Sequence, residues 1–226
     1  MNELTLAIET STPIGSVAVG RGGTVLAEIV LGEKSKHSEL LLPAIEFALR
    51  TAGAEKTEVR AIVVGGGPGS FTGLRISAAT AKALARSLEA PLYAYSGLCA
   101  LAAGVGNAER AVCALFDARR GEVYAACYRF PGFERVETLL EPAPRHVDDV
   151  LMDARETIYV GDGALQNSAP IVEAGGTIAP AHLAAPRASA LLWLQHVMPQ
   201  AGLVEDLPSW EPQYLRDSGA QRMRAQ

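Results

Sequence analysis

The chain has 226 residues, of which 49% are hydrophobic and 20% are charged, and its net charge is −5. This length and composition predict a folded chain of one large or two small domains with a substantial core. The acidic balance argues against general affinity for nucleic acid through a basic surface. No apolar run reaches membrane-spanning length, and the first one, Leu4–Ile8, is too short for a signal peptide. We therefore expect a cytoplasmic protein without membrane attachment.

The three cysteines, Cys99, Cys113 and Cys127, are too few and too far apart for a disulfide framework or a Cys-rich zinc site. Cys113 and Cys127 fall in apolar, strand-like runs. We expect buried free thiols, which fits a reducing compartment.

Three short strands are predicted at the start of the chain: Leu4–Ile8, Ser16–Gly20 and Thr24–Leu31. Because only short turns separate them, they predict an antiparallel meander. The first turn places Glu9, Thr10 and Ser11 at a strand end. One carboxylate and its neighbouring hydroxyls there can hold a metal-bound phosphate, or they can simply cap the turn.

A helix is predicted over Ser38–Ala52, with Gly53 after its end. Its apolar residues are not confined to one stripe, so we expect one face on the sheet and another on a neighbour. His37 stands just before it and has no histidine partner at i+4, because Leu41 occupies that position; a metal site is not predicted.

A glycine motif, Gly65-Gly66-Gly67-Pro68-Gly69-Ser70-Phe71-Thr72-Gly73-Leu74-Arg75, follows the apolar strand Ala61–Val64 and precedes an alanine-rich helix over Ile76–Ala90. Glycines allow positive φ and close backbone approach, and free N–H groups at a helix start attract anions. The motif predicts a site for phosphate or for a partner backbone, or a tight strand-to-helix connection. No lysine stands where a P-loop needs one.

The second half begins after Gly104–Arg110, which predicts domains at residues 1–106 and 107–226. It contains the strand Ala111–Phe116, the turn Asp117–Gly121 and the strand Glu122–Phe130. Further predicted elements are strands over 136–140 and 157–160, helices over 146–152, 171–174 and 189–200, and an extended segment over 177–179. The segment 208–216 is broken by prolines and aromatic, and we expect it to lie extended against the body. The end of the chain, residues 217–226, is polar.

Both halves run strand, polar turn with a carboxylate, strand, then helices. Glu9 stands in the first such turn and Asp117 in the second. Two halves that face each other across a cleft describe an actin-like nucleotide-binding architecture. The glycine turn with Asp162 and Gly163 follows a strand at about the adenosine-contact position of that fold.

Leu6–Ser11, together with the glycine motif, resembles the bacterial threonylcarbamoyladenosine biosynthesis family TsaB, also called YeaZ. Lys36–Glu39 and Tyr214–Arg216 also fit. The resemblance covers the whole length. It implies an α/β fold of two actin-like subdomains (the Hsp70/hexokinase/actin type, RNase H-like), with mixed sheets flanked by helices.

The resemblance also implies a role in forming N6-threonylcarbamoyladenosine at position 37 of tRNAs that read codons beginning with A. The chain is expected to be a non-catalytic subunit that dimerises with the related catalytic subunit TsaD, forms a homodimer when alone, and joins a TsaE-type ATPase in the complex. We expect tRNA to be bound only through the complex. ATP or ADP with Mg²⁺ is a candidate ligand at the partner interface.

The candidate nucleotide or phosphate contacts lie in the two carboxylate turns, the glycine motif and the second glycine turn: Glu9, Thr10, Ser11, Gly67, Pro68, Gly69, Ser70, Phe71, Thr72, Gly73, Asp117, Asp162 and Gly163. The candidate interface residues lie on the two N-terminal helices: Leu41, Leu42, Ile45, Leu49, Arg75, Ala78, Ala81 and Lys82. No catalytic residue and no metal ligand is predicted.

Two enzyme readings stay open. An actin-fold small-molecule kinase or ATPase needs a carboxylate base and a complete two-hairpin phosphate clamp. Here the turn after Asp117 reads Ala118-Arg119-Arg120 and lacks the glycines that cradle phosphate. A peptidase is less well supported, because there is no HExxH and no nucleophile with an identifiable histidine partner.

Overall fold

Two five-stranded sheets with the same strand order form the framework of the protein. The computed structural model describes residues 3–32, 37–106, 109–151 and 153–215. The first sheet has the order β3-β2-β1-β4-β5 and the second β8-β7-β6-β9-β10. In each sheet three antiparallel strands are followed by two parallel ones. The strands are β1 (Leu4–Glu9), β2 (Gly15–Arg21), β3 (Thr24–Leu31), β4 (Val59–Gly65), β5 (Leu92–Tyr95), β6 (Ala111–Arg119), β7 (Glu122–Arg129), β8 (Glu137–Arg145), β9 (Thr157–Val160) and β10 (Thr177–Ile178).

Seven α-helices cover these sheets in the described residues. They are α1 (His37–Thr51), α2 (Phe71–Leu88), α3 (Gly97–Ala103), α4 (Asp162–Gln166), α5 (Ser168–Glu173), α6 (Ala188–Val197) and α7 (Pro199–Gly202). None of them is long and apolar enough to cross a membrane. The two mixed sheets flanked by helices confirm the predicted α/β class, and the shared strand order confirms the duplication inferred from element order.

The core consists of three apolar layers. α1 and α2 pack on the outer face of the first sheet. α3 and α6 fill the space between the sheets, and α4 and α5 lie against the outer face of the second. Burial on both faces explains why the central strands read as nearly continuous apolar runs.

The helix α6 belongs to the second half by sequence but packs on the first sheet. The backbone N–H of Ala188 donates to Oγ of Ser16 over 2.8 Å, and that of Ser189 donates to Oε1 of Glu28 over 3.0 Å. The strands before residues 104–110 form the first sheet, and those after them form the second. Beyond residue 187 the chain returns to the first sheet.

Two of the element boundaries that differ from the sequence prediction lie at the glycine turns. α2 begins at Phe71 rather than Ile76, because Ser70 caps it: Oγ of Ser70 accepts the N–H of Gly73 over 3.3 Å. The second glycine turn is also the start of a helix, since α4 begins at Asp162.

The expectation of free thiols is wrong for two cysteines. Cys113 and Cys127 face each other on β6 and β7 and form a disulfide. Cys99 is the free and buried cysteine.

Candidate functional site at the glycine motif and the first helical face

The glycine motif is fastened to the turn between β1 and β2. The hydroxyl of Thr10 donates to the carbonyl of Gly73 over 2.8 Å, and the N–H of Ser70 donates to the carbonyl of Ser11 over 2.7 Å. A Cβ at Gly69 would collide with the carbonyl oxygen of Ser11, and one at Gly73 with that of Thr10. These two glycines therefore permit a close approach of two backbone segments.

The other side of the motif is covered by the strap, which we define as residues 203–215. The N–H of Gln213 donates to the carbonyl of Gly66 over 2.7 Å, and a Cβ at Gly67 would lie 2.5 Å from the carbonyl oxygen of Gln213. The glycine motif thus receives a backbone of this same chain. The aromatic segment lies against the body as expected, but residues 207–209 form a turn, and only residues 210–214 beyond it are free of helix and turn. Arg216 and the polar end lie outside the described residues.

Two further contacts hold the strap on α2. The ammonium group of Lys82 donates to the carbonyls of Pro208 and Trp210 over 2.9 and 3.0 Å. The ring centroids of Phe71 and Tyr214 are 5.2 Å apart, and the guanidinium of Arg75 lies 4.2 Å from the centroid of Phe71.

Glu9 lies at the centre of this junction and is completely buried. Its Oε1 accepts the N–H of Ser11 over 2.6 Å, while Oε2 has no hydrogen-bond partner among the described residues. Burial raises the pKa of Glu9, and the hydrogen bonds from Ser11 oppose that shift. Gly65 and Gly97 leave room for the carboxylate, since a Cβ at Gly65 would collide with Oε2. The carboxylate is therefore not exposed to a ligand in solution.

The two aspartates of the second half stabilise local backbone. Oδ1 of Asp162 accepts the N–H groups of Asp117 and Gly163 over 3.1 and 2.8 Å. Oδ1 of Asp117 accepts the N–H of Arg119 over 2.7 Å. Burial raises the pKa of Asp162, and the hydrogen bonds from Asp117 and Gly163 oppose the shift. These contacts bring Asp117, Asp162 and Gly163 together, and their contact with a nucleotide stays a prediction.

A metal centre is not apparent in the described part of the chain, which contains no group of three or more His, Cys, Asp or Glu side chains placed to hold an ion. His37 is half-buried, and its Nε2 lies beside Gly15 in the turn between β1 and β2.

The outer helical face consists of the exposed sides of α1 and α2. Leu40, Leu42 and Phe47 are exposed on α1, with Leu42 at 56%. Ala79, Ala83 and Arg75 are exposed on α2. The chain therefore presents an apolar, alanine-bearing helical surface, as the scattered apolar residues of α1 predicted.

The candidate interface residues divide between that surface and the core. Leu42 and Arg75 are exposed and Lys82 is half-buried. The others face inward with at most 7% of their surface exposed: Leu41, Ile45, Leu49, Ala78 and Ala81. The outward positions that sequence reasoning did not select are Leu40, Phe47, Ala79 and Ala83, because helical periodicity alone does not show which side of an all-round apolar helix meets the sheet.

Sequence reasoning also missed the contacts that Gln213 and Tyr95 make with the glycine motif. The N–H of Gly66 donates to the carbonyl of Tyr95 over 2.7 Å. Both residues contribute backbone atoms, and backbone contacts leave no signature in residue type. The glycine spacing signalled that something approaches closely but not what it is.

Comparison with known proteins shows which family the chain resembles. Residues 24–223 match the family model for TsaD, tRNA N6-adenosine threonylcarbamoyltransferase. The tRNA threonylcarbamoyladenosine biosynthesis protein TsaB of Escherichia coli is 34% identical over 95% of this chain and 95% of its own length, and that of Bacillus subtilis is 40% identical over 55% of each chain. YeaZ of Pseudomonas aeruginosa superposes with a TM-score of 0.78 at 31% identity, covering 94% of this chain and 100% of that one.

The match to the TsaD model over residues 24–223 places the chain among proteins related to the tRNA N6-adenosine threonylcarbamoyltransferases. Within that class, the identity to curated members over nearly the full length shows that the chain belongs to the TsaB (YeaZ) family.

Proposed function

We propose that this chain is a non-catalytic subunit of the machinery that forms N6-threonylcarbamoyladenosine at position 37 of tRNAs reading codons that begin with A. It acts by dimerising with TsaD through the outer helical face. The names of its relatives and the TsaD-type match support a role in this modification. The observation that carries the subunit role is the outer helical face, where Leu42 and Phe47 are 56% and 48% exposed.

An exposed apolar face of this kind is typical of an interaction surface. Ala79 and Ala83 on α2 allow a partner helix to approach closely, and the charged Arg75 lies at the rim. When alone, the chain uses the same face to form a homodimer. A TsaE-type ATPase joins the assembled pair, which works in the cytoplasm, and tRNA binds only to the complex because this chain is acidic.

Nucleotide binding at the TsaD interface is part of the proposal. In this chain the N–H groups of Gly66 and Ser70 already donate to Tyr95 and Ser11, and Glu9 is buried. These groups do not form a complete phosphate clamp, so this chain alone does not fit ATP or ADP with Mg²⁺. Exposed Ser70 and Thr72 at the start of α2 are the positions where it would contribute to a shared site.

Substitution of the exposed leucine tests the interface. Leu42→Glu places an unpaired charge in a desolvated contact, so affinity for TsaD should fall at least 10-fold, equivalent to about 1.4 kcal/mol. Titration calorimetry with purified TsaD measures it, and light scattering measures the homodimer. Val172→Glu is the matched control: Val172 is 60% exposed but lies on α5, against the other sheet.

Two outcomes would contradict the proposal. Wild-type affinity of Leu42→Glu and Phe47→Glu, with both variants folded, would place the interface elsewhere. ATP turnover of about one per second by the chain alone, in the ordinary range for enzymes, would instead support the kinase alternative.

A further inference from the structure

The disulfide between Cys113 and Cys127 lies against a cavity on the outer side of the second sheet. The cavity has a volume of about 440 Å³ and is lined by both cysteines, by Leu139 and Leu140 of β8, and by charged side chains at its rim. It lies on the far side of the second sheet from α3 and α6, and neither the glycine motif nor the outer helical face contributes to it. We propose that this cysteine pair is a reversible dithiol–disulfide site, and that the cavity admits small neutral or cationic thiols to it.

The two cysteines differ in their access to solvent. Cys113 is 1% exposed, whereas Cys127 is half-buried. The pairing of β7 with β8 shifts register on both sides of Cys127, which pairs with Leu140. Such bulges interrupt a ladder and bend the strand. The Sγ of Cys127 is therefore the sulfur that an incoming thiolate reaches.

The exchange is balanced by a dithiol reductant. A reagent thiolate attacks Sγ of Cys127, the S–S bond breaks, and Sγ of Cys113 leaves as a thiolate and takes up a proton. The second thiol of the reagent then attacks the mixed disulfide, and Cys127 leaves as a thiolate that is protonated. The protein gains two electrons and two protons, and the reagent becomes a cyclic disulfide.

The charges at the rim decide which thiols enter. Asp149, Asp153 and Glu156 carry three negative charges and Arg129 one positive charge, which leaves a net charge of −2. All four side chains are exposed. This rim attracts a cationic thiol and repels an anionic one, and salt weakens the preference.

A thiol count on the full-length protein tests the redox step. Native protein is treated with diamide, which takes up two electrons and two protons, and is then denatured and alkylated for mass spectrometry. One cysteine, Cys99, should be labelled after oxidation and all three after native treatment with dithiothreitol. In Cys113→Ser this disulfide cannot form, so diamide should not lower the number of labelled thiols by forming it. Cys99→Ser should still lose two labelled thiols on oxidation.

A charge series tests the role of the cavity. Cysteamine, 2-mercaptoethanol and 3-mercaptopropionate are compared at equal thiolate concentration. Reduction should be several-fold faster with cysteamine than with 3-mercaptopropionate at low salt. The difference in rate should disappear at high salt. Asp153→Asn with Glu156→Gln should reduce the preference; Asn suits position 153, where φ is 55°.

Three labelled cysteines after diamide would overturn the proposal, as would a disulfide that dithiothreitol reduces only after unfolding. Equal rates for the three thiols at low salt would overturn the role assigned to the cavity. None of these readouts depends on TsaD, so their failure is separate from failure of the proposed function.

Discussion

Glu9 and the glycines around it show how single residues determine the junction at the end of β1. The carboxylate is buried with one oxygen bonded to Ser11 and the other without a partner among the described residues. Gly65 and Gly97 enclose it, and neither can carry a side chain without contacting Glu9 or Ser11. A buried carboxylate of this kind is costly in its charged form.

The first prediction concerns Glu9→Gln. Because burial raises the folded-state pKa of Glu9 above its ordinary value of 4.5, its contribution to stability is fully present below that value and is lost as pH rises through the folded pKa. The variant keeps an acceptor for Ser11 but carries no charge. Its free energy of unfolding, relative to wild type, should therefore rise as the pH increases above 4.5.

Urea unfolding at several pH values measures the difference. Glu46→Gln on the exposed side of α1 is the surface control and should stay within about 0.5 kcal/mol of wild type. A difference between Glu9→Gln and wild type that does not change with pH would show that Glu9 is not buried as a titrating group.

The second prediction compares two adjacent glycines. Gly65→Ala directs a methyl group into the carboxylate of Glu9, whose completely buried side chain would have to shift, and should destabilise the protein by about 1–3 kcal/mol. At Gly66 the nearest atoms to an added Cβ are 3.5 Å away, so Gly66→Ala should be close to neutral. Thermal unfolding measures both; equal losses would contradict the contact with Glu9.

The strap shows how one element can close a site that sequence assigns to a ligand. It forms an isolated bridge to β5 through Leu203 and Tyr93, crosses α2 at Lys82 and ends beside Phe71. Its backbone occupies the outer side of the glycine motif. Whether phosphate binds at the remaining exposed start of α2 stays a prediction.

The third prediction concerns Lys82→Met. The substitution keeps the apolar stem and removes two hydrogen bonds to the strap. Each such bond to a charged donor is worth about 1.5–3 kcal/mol, reduced here because Lys82 is half-buried, so hydrogen exchange at Trp210 and Gln213 should accelerate about 10-fold. Lys56→Met, at an exposed position just before β4, is the control. Unchanged protection in Lys82→Met would mean that other contacts hold the strap.

At the scale of the whole molecule, α6 connects the two halves. It is contributed by the second half, packs on the first sheet, and shares an apolar layer with α3 and the inner face of the second sheet.

The fourth prediction follows from that position. Leu191→Ala removes a completely buried side chain between the sheets and should cost about 2–5 kcal/mol. Calorimetry should show one unfolding transition for wild type and variant, shifted to lower temperature in the variant. Leu165→Ala, at a position 38% exposed on α4, should change stability by less than about 1 kcal/mol. Two separate transitions, with only one affected by Leu191→Ala, would show that the halves unfold independently.

The sequence by itself determined the order and type of most elements, because strand alternation, turn residues and helix composition are local properties. It indicated the duplication, since Glu9 and Asp117 recur at equivalent turns, and it carried the family resemblance in the glycine motif. Where it placed the start of α2 too late, the error arose because Gly73 looks like loop and only its contact with Thr10 explains a glycine in the first turn of a helix.

Only the tertiary structure decided what the glycine motif touches, which side of α1 faces outward, and that Cys113 and Cys127 are paired. Each depends on the packing of segments far apart in sequence. The backbone of Gln213 meets Gly66 across more than 140 residues, and Ile45 is core while Leu42 is surface because the sheet lies on one side of the helix. Residue type and spacing specify the apolar and glycine positions, but the partner at each one is fixed by the way the two sheets, α6 and the strap pack together.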